Sequence, residues 1–184
     1  PWIKKAKAVL HGYLGGQAGA SAMLDVITGK VNPSGKLNET YPICYEDTPT
    51  YAYYPGKERN SEYREGVYVG YRYYDTIKKE VLFPFGFGLS YTDFSYSNLK
   101  LSENGVRFCI TNVGKIAGAE IAQLYIEKEN PVVFRPVHEL KGFCKLFLQP
   151  GETREVEIPF ENRTFKYFNV QTGNWETEEG NYKI

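Results

Sequence analysis

The chain has 184 residues, of which 42% are apolar and 16% aromatic, so it can bury the core of one ordinary domain or of two small ones. Its 22 basic residues balance its 22 acidic residues, which argues against a nucleic-acid-binding protein. No run of 18 apolar residues is present, so no membrane-spanning segment is predicted. Three cysteines without C-x-x-C spacing indicate reduced thiols rather than a zinc site: Cys44, Cys109 and Cys144.

Residues 1–48 have the pattern of one α/β unit. An apolar run at residues 6–10 predicts a short buried strand, and a glycine-rich loop follows it. Apolar side chains at helical spacing predict a helix over residues 17–27, with Gly29 as its C-terminal stop, and residues 36–41 are predicted to be extended. One helix and two strands cannot cover both faces of a parallel sheet. We therefore expect the remnant of a larger α/β sandwich domain, in the order strand, helix, strand.

Residues 49–92 are too aromatic for a flexible linker, which would be rich in glycine and serine. The stretch 51–74 alone holds eight of the chain's 16 tyrosines. Because aromatic rings bury much surface and make specific contacts, we expect this connector to pack on both flanking parts, with its glycines at tight turns. The residues expected to hold it in place are Tyr63, Glu65, Tyr71, Arg72, Asp75, Phe83, Pro84, Phe85 and Gly86.

From residue 93 to residue 184 the pattern changes to short stretches in which apolar and polar residues alternate. Strands of period two joined by regular turns are typical of an antiparallel β-sandwich of the fibronectin type III kind. The fold class predicted for the whole chain is α+β in two parts, the α/β remnant and then the sandwich. The strands predicted in the second part lie at residues 106–110, 122–126, 140–148, 156–160, 165–170 and 181–184.

Two sets of motifs run through the chain. The first half holds Gly16-Gln-Ala-Gly-Ala-Ser-Ala22, Asn32-Pro-Ser-Gly-Lys-Leu37, Thr40-Tyr-Pro42, Glu65-Gly-Val-Tyr-Val-Gly-Tyr-Arg-Tyr-Tyr-Asp75 and Phe83-Pro-Phe-Gly-Phe-Gly-Leu-Ser-Tyr-Thr92. The second half holds Asn112-Val-Gly114, Gly118-Ala-Glu-Ile-Ala-Gln-Leu-Tyr125, Arg135-Pro136, Glu139-Leu-Lys-Gly-Phe143 and Pro150-Gly-Glu152. Their joint occurrence in this order resembles the C-terminal part of glycoside hydrolase family 3 enzymes of the β-glucosidase type, over essentially the whole chain.

The resemblance implies an enzyme of three pieces: a (β/α)8-type barrel with the nucleophile, an α/β sandwich domain with the acid/base in many members, and a fibronectin type III-like domain. This chain would hold the end of the second piece, the connector and the third piece. The family's nucleophile is an Asp that follows a Ser, and its sugar clamp is a Lys-His pair; neither pair occurs here. No catalytic residue is therefore assigned to this chain, and neither a cofactor nor a metal is implied.

The charged residues near the connector have plainer expected roles than catalysis. Glu62 and Glu65 stand close to arginines such as Arg64, so ion pairing is the expected use of their carboxylates. His11 and His138 stand in no pattern of neighbouring acids or thiols, so neither is expected to be a metal ligand. The sequence alone thus predicts a structural connector and leaves any substrate-binding residue unknown.

Three functions compete at this point. The first is the structural C-terminal part of a retaining enzyme that hydrolyses terminal β-D-glucosyl residues; its partners are the remaining catalytic domains, and only they contact the carbohydrate. The second is a non-catalytic carbohydrate-binding module that uses exposed tyrosines, and the third is a protein-interaction module. An α/β remnant has no purpose under the second and third, which favours the first.

An α/β unit that is only part of its domain also affects how the chain associates with other molecules. Its uncovered sheet edge and apolar helix face predict that the isolated chain associates with itself or with the missing domains. The compartment is not determined by the sequence, with the cytoplasm slightly favoured.

Overall fold

The computed structural model describes residues 2–56 and 59–184. In these ranges the chain forms two α-helices, α1 (Gly19–Ile27) and α2 (Tyr71–Thr76), and two 3₁₀-helices, Trp2–Lys5 and Tyr45–Asp47. Its strands are β1 (Tyr41–Pro42), β2 (Val81–Phe83), β3 (Phe94–Ser102), β4 (Gly105–Asn112), β5 (Gly118–Lys128), β6 (Glu139–Leu148), β7 (Thr153–Pro159), β8 (Lys166–Asn169), β9 (Asn174–Thr177) and β10 (Tyr182–Lys183). No helix within the described ranges is long and apolar enough to cross a membrane.

Helix α1 confirms the helix predicted at the start of the chain, although it begins at Gly19 rather than at residue 17. At its C-terminus the Thr28 hydroxyl donates to the Leu24 carbonyl (2.7 Å). The next residue, Gly29, adopts a φ of +76°, which glycine accepts without strain, so the predicted stop is also confirmed. The apolar face of α1 has little to pack on, because Leu24 and Ile27 are 60% and 65% exposed.

The strand predicted at residues 6–10 is not formed, and this part of the prediction is wrong. These residues follow an irregular, exposed path. A strand exists only through hydrogen bonds to a neighbouring strand, and the described part of the chain offers none at this place. The second predicted segment, residues 36–41, is regular only at its end, where β1 pairs antiparallel with β2. Strand β2 belongs to the connector and lies outside the predicted elements.

Two antiparallel three-stranded sheets, ordered β10-β5-β6 and β3-β4-β7, form the sandwich. All six strands predicted for this part are confirmed, with ends that differ by a few residues. Strand β3 was not predicted, because its alternation of apolar and polar residues runs over Phe94–Ser97 and resumes at Leu99 shifted by one residue. The shift falls at Asn98, which has a φ of +55° and lies in an irregularity of the pairing with β4. The core consists of inward side chains from both sheets: Val106, Phe108, Ile110, Ala122, Leu124, Leu146, Leu148 and Ile158.

A fully buried asparagine, Asn112, closes one end of the sandwich. Its side-chain oxygen accepts hydrogen bonds from the Thr92 hydroxyl (2.7 Å) and the Gly114 amide (3.1 Å). Its side-chain nitrogen donates to the carbonyls of Ile116 (2.9 Å) and Leu148 (3.1 Å). A buried amide destabilises a fold unless its hydrogen bonds are made. Here two of them fix the turn that follows β4, and the other two join it to Thr92 of the connector and to the end of β6.

Replacing Ile110 by alanine opens a cavity in the buried core, so we expect the free energy of unfolding to fall by about 2–5 kcal/mol. The matched control is Leu101→Ala on β3, because Leu101 is 65% exposed and its loss should change stability by only about 0.5 kcal/mol. Urea denaturation followed by fluorescence measures both values. Equal losses for the two variants would contradict this assignment of the core.

Candidate functional site at the domain junction

Three parts of the chain meet at one place, which we call the junction: the α/β unit (residues 2–48), the connector (49–92) and the sandwich (93–184). The connector lies between the α/β unit and strands β5 and β6, and it bonds to both sides. The contacts join residues that are far apart in the sequence. The junction combines polar and aromatic contacts outside the sandwich core.

Asn32, at the start of the turn after α1, bonds to the other two parts of the chain at once. Its side-chain oxygen accepts from the Ser90 hydroxyl (2.9 Å) and from the Tyr91 amide (2.8 Å), both in the connector. Its side-chain nitrogen donates to the Ala117 carbonyl in the sandwich (3.0 Å). A Cβ atom on Gly118 would stand 2.5 Å from this nitrogen, so only glycine fits beside the Asn32 amide.

A second polar contact lies four residues further along the chain, at Lys36. The Lys36 ammonium group donates to the Gly88 carbonyl (2.9 Å) and pairs with the Glu120 carboxylate (3.2 Å). The two charged side chains are only 16% and 13% exposed, so this ion pair is shielded from solvent. The backbone of Leu37 also bonds to the connector, from its amide to the Phe87 carbonyl (2.8 Å). The α/β unit is thereby fixed to both other parts by charge and by backbone pairing.

Aromatic rings fill the space between the connector and strand β5. The Tyr71 ring lies 4.8 Å from the ring of Phe85 and 5.8 Å from the ring of Tyr125, measured between centroids. The Tyr71 hydroxyl also accepts a hydrogen bond from the Leu140 amide (2.8 Å). Burial raises the pKa of Tyr125 to about 12, with smaller contributions from the nearby Tyr71 and Asp75. Tyr125 therefore remains neutral here, as a hydrogen-bonding aromatic group.

Gln123, next to this aromatic group, holds the backbone of the connector. Its side-chain nitrogen donates to the Gly86 carbonyl (3.1 Å), and its oxygen accepts from the Tyr125 hydroxyl (2.6 Å). Gly86 has a φ of +79°, and a Cβ atom there would stand 2.3 Å from the Gln123 side-chain oxygen. Both the dihedral angle and the lack of space require glycine at this position.

Helix α2 docks on the start of strand β6 through its last two residues. The Asp75 carboxylate lies 3.1 Å from Nδ1 of His138, and the Thr76 hydroxyl accepts from the Val137 amide (3.2 Å). On its other side, Nε2 of His138 lies 3.9 Å from the Glu127 carboxylate of β5. The imidazole thus stands between an acid of the connector and an acid of the sandwich.

A shielded charge group anchors the loop that leads into β6. The Glu139 carboxylate accepts from Arg135 (2.6 Å) and from Lys141 (2.8 Å), and these three side chains are 5–14% exposed. Burial opposes ionisation of Glu139, but the hydrogen bonds from Lys141 and Arg135 outweigh it and hold its pKa below the usual range. Glu139 is therefore ionised at neutral pH.

The structure brings some of the nine predicted connector residues to the junction and leaves others out. Tyr71, Asp75, Phe85 and Gly86 make the contacts described above. Three others make contacts within the connector. The Phe83 ring stacks on the Phe87 ring (5.4 Å between centroids), the Pro84 carbonyl accepts a hydrogen bond from the Phe87 amide, and the Arg72 carbonyl accepts one from the Thr76 hydroxyl. Glu65 is half-buried, and Tyr63 is 90% exposed. The predicted ion pair near the connector is formed by Glu62 with Arg64, and both side chains are exposed.

Several junction residues were not anticipated from the sequence. Asn32 was read as a turn residue, and an asparagine that opens an Asn-Pro-Ser-Gly turn is the one signal that its side chain could bond elsewhere. Gln123 and Tyr125 occupy outward positions of β5, where polar residues normally meet water. Nothing in their spacing shows that another segment covers this face. His138 was considered only as a metal ligand.

Two hollows lie on the described surface, of about 430 Å³ and 160 Å³. The larger is lined by one acid, Glu161, and the smaller by none. Within residues 2–56 and 59–184, no three His, Cys, Asp or Glu side chains gather closely enough to hold a metal ion.

Comparison with known families supports both halves of this architecture. Residues 1–91 match the model of the glycosyl hydrolase family 3 C-terminal domain, and residues 120–184 match that of a fibronectin type III-like domain. Two curated relatives are thermostable beta-glucosidase B of Acetivibrio thermocellus (50% identical) and an exo-alpha-(1->6)-L-arabinopyranosidase of Bifidobacterium longum (42%). Each alignment covers 100% of this chain but 25% of the relative, so the chain spans about a quarter of their length.

Solved structures agree in fold over nearly the whole chain. The Bifidobacterium adolescentis GH3 beta-glucosidase superposes with a TM-score of 0.92 at 44% identity, covering 99% of this chain and 28% of that one. The Kluyveromyces marxianus beta-glucosidase in complex with glucose gives 0.90 at 39% identity, covering 99% and 23%. A glycosyl hydrolase family 3 C-terminal domain followed by a fibronectin type III-like domain is the C-terminal region of a glycosidase. The chain belongs to glycoside hydrolase family 3 and corresponds to the C-terminal region of that family.

Replacing Asn32 by alanine removes three hydrogen bonds that join the parts of the chain. We expect the free energy of unfolding to fall by about 2–3 kcal/mol, because each bond contributes roughly 1 kcal/mol. Limited proteolysis should also cut the α/β unit sooner. Asn38→Ala is the control, since Asn38 is exposed in the same segment. If both variants unfold at the same urea concentration as the unchanged chain, the role given to Asn32 is wrong.

Acidification should weaken the fold through Glu139. Because its folded-state pKa lies below the ordinary value of 4.5, ionised Glu139 stabilises the fold above about pH 4.5, and this contribution is lost as pH falls through the folded-state pKa. Glu139→Gln should be clearly less stable than the unchanged chain at pH 7, and the difference should shrink towards pH 3. Urea midpoints over this pH range measure it. A pH-independent difference would show that ionisation of Glu139 does not matter.

Proposed function

We propose that this chain is the structural C-terminal part of a retaining β-glucosidase-type enzyme that acts on terminal β-D-glucosyl residues. The observation that carries the proposal is the junction: a polar and aromatic contact that fixes a fibronectin type III-like sandwich to an α/β unit whose own helix face is uncovered. Family membership and relatives named as beta-glucosidases supply the chemistry.

Retaining hydrolysis needs two carboxyl groups about 5–5.5 Å apart, one as nucleophile and one as acid/base. Neither hollow in the described part of the chain is lined by two acids. The proposed role is therefore mechanical: the sandwich and connector hold the α/β unit in a fixed position, and the reacting carboxylates and the sugar pocket belong to other domains of the same enzyme.

Two relatives with different names support a division between scaffold and specificity. One is named as a beta-glucosidase and the other as an arabinopyranosidase, yet both align with the whole of this chain at 42% identity or more. A region that is shared by enzymes with different sugars is suited to a bracing role. The choice of sugar is accordingly assigned to the catalytic portion, and the proposed partner of this chain is that portion.

The test is hydrolysis of an aryl β-D-glucoside by the isolated chain and by the longer protein that contains it. We expect turnover by the longer protein and none by the chain, because the carboxylate pair is supplied elsewhere. An aryl α-L-arabinopyranoside in the same assay serves as the control for sugar preference. Turnover by the chain alone would contradict the bracing role, and an inactive, folded longer protein would contradict the glycosidase activity.

A further inference from the structure

Strands β5 and β6 present an outer face, made of the side chains that point away from the sandwich core. On β5 this face is covered, because Gln123 and Tyr125 lie under the connector. On β6 it is open: Phe143, directly opposite Gln123, is 68% exposed, and Phe147 further along the strand is 53% exposed. Lys145 lies between the two phenylalanines on the same strip and is exposed too, so the open half of the face consists of two large apolar rings separated by one charged side chain.

A notch of about 160 Å³ lies where the covered and open halves of this face meet. Residues 36–38 of the α/β unit, the connector at Phe85 and the strand residues Ile121 and Phe143 line it. The surface that it exposes is almost wholly apolar. An apolar cavity of about 150 Å³ can hold a benzene ring, so this notch has the size of one leucine or phenylalanine side chain.

We propose that the β6 half of the outer face is a contact surface for the rest of the same polypeptide, which inserts an apolar side chain into the notch and covers Phe143 and Phe147. The segment that covers this surface is inferred from its position next to the α/β unit. The notch is bordered by the α/β unit, so a domain that continues this unit beside residues 36–38 also lies over Phe143. About three quarters of each curated relative lies outside the aligned region, which leaves ample chain to supply it.

The proposal rests on the bracing role proposed above but not on the identity of the sugar, so its test measures stability rather than turnover. Phe143→Ser is made in the isolated chain and in the longer protein, and thermal unfolding is followed in both. In the isolated chain the side chain is mostly exposed, so we expect a shift of about 1 °C or less; in the longer protein we expect a fall of about 3 °C or more.

Leu101→Ser is the matched control, because Leu101 is 65% exposed on the opposite sheet and should give the same small shift in both proteins. Equal shifts for Phe143→Ser in the two proteins would overturn the proposal. A dimer of the longer protein that Phe143→Ser dissociates, seen by sedimentation, would overturn it in favour of a second copy. Retention on insoluble β-glucan that requires Phe143 would overturn it in favour of a carbohydrate surface.

Discussion

The side-chain amide of Asn32 is the interaction on which the arrangement of the two halves depends. Its oxygen accepts hydrogen bonds from a hydroxyl and an amide of the connector, and its nitrogen donates one to a carbonyl of the sandwich. A carboxylate has no hydrogen to donate to the carbonyl, and an apolar residue would leave all three partners without a bond. An asparagine therefore satisfies donors and an acceptor from one position, and it fixes the three parts of the chain relative to one another.

Close backbone approach is the second constraint, and it explains why the motifs at the junction are rich in glycine. Cβ atoms on Gly88 and Gly118 would stand 2.3 Å and 2.5 Å from atoms of Gly35 and Asn32 respectively. Gly86 needs both the space and its positive φ. With the shielded Lys36–Glu120 pair beside them, these contacts leave the α/β unit little freedom to move against the sandwich. Rigidity of this kind suits a brace better than a hinge.

The strands of the sandwich and helix α1 were predictable, because alternation and helical spacing are local properties that a short window of sequence contains. Residues 6–10 show where this reasoning fails. Their apolar run is that of a buried strand, but a strand also needs a hydrogen-bonding neighbour, and none is present among the described residues. Strand β3 was missed for a different reason: it is paired with β4, but its alternation changes phase at Asn98, where the pairing is irregular, so no single window shows a regular period of two.

The family resemblance, the type of most regular elements and the expectation of a packed aromatic connector all follow from the amino-acid sequence. Which residues make the junction is known only from the folded chain. The tertiary structure placed Tyr71 and Asp75 against the sandwich, left Tyr63 in solvent, and brought Gln123, Tyr125 and His138 into contact with the connector. The reason is physical: periodicity shows which face of a strand turns outward, but what covers that face depends on segments distant in sequence, whose approach is set by packing.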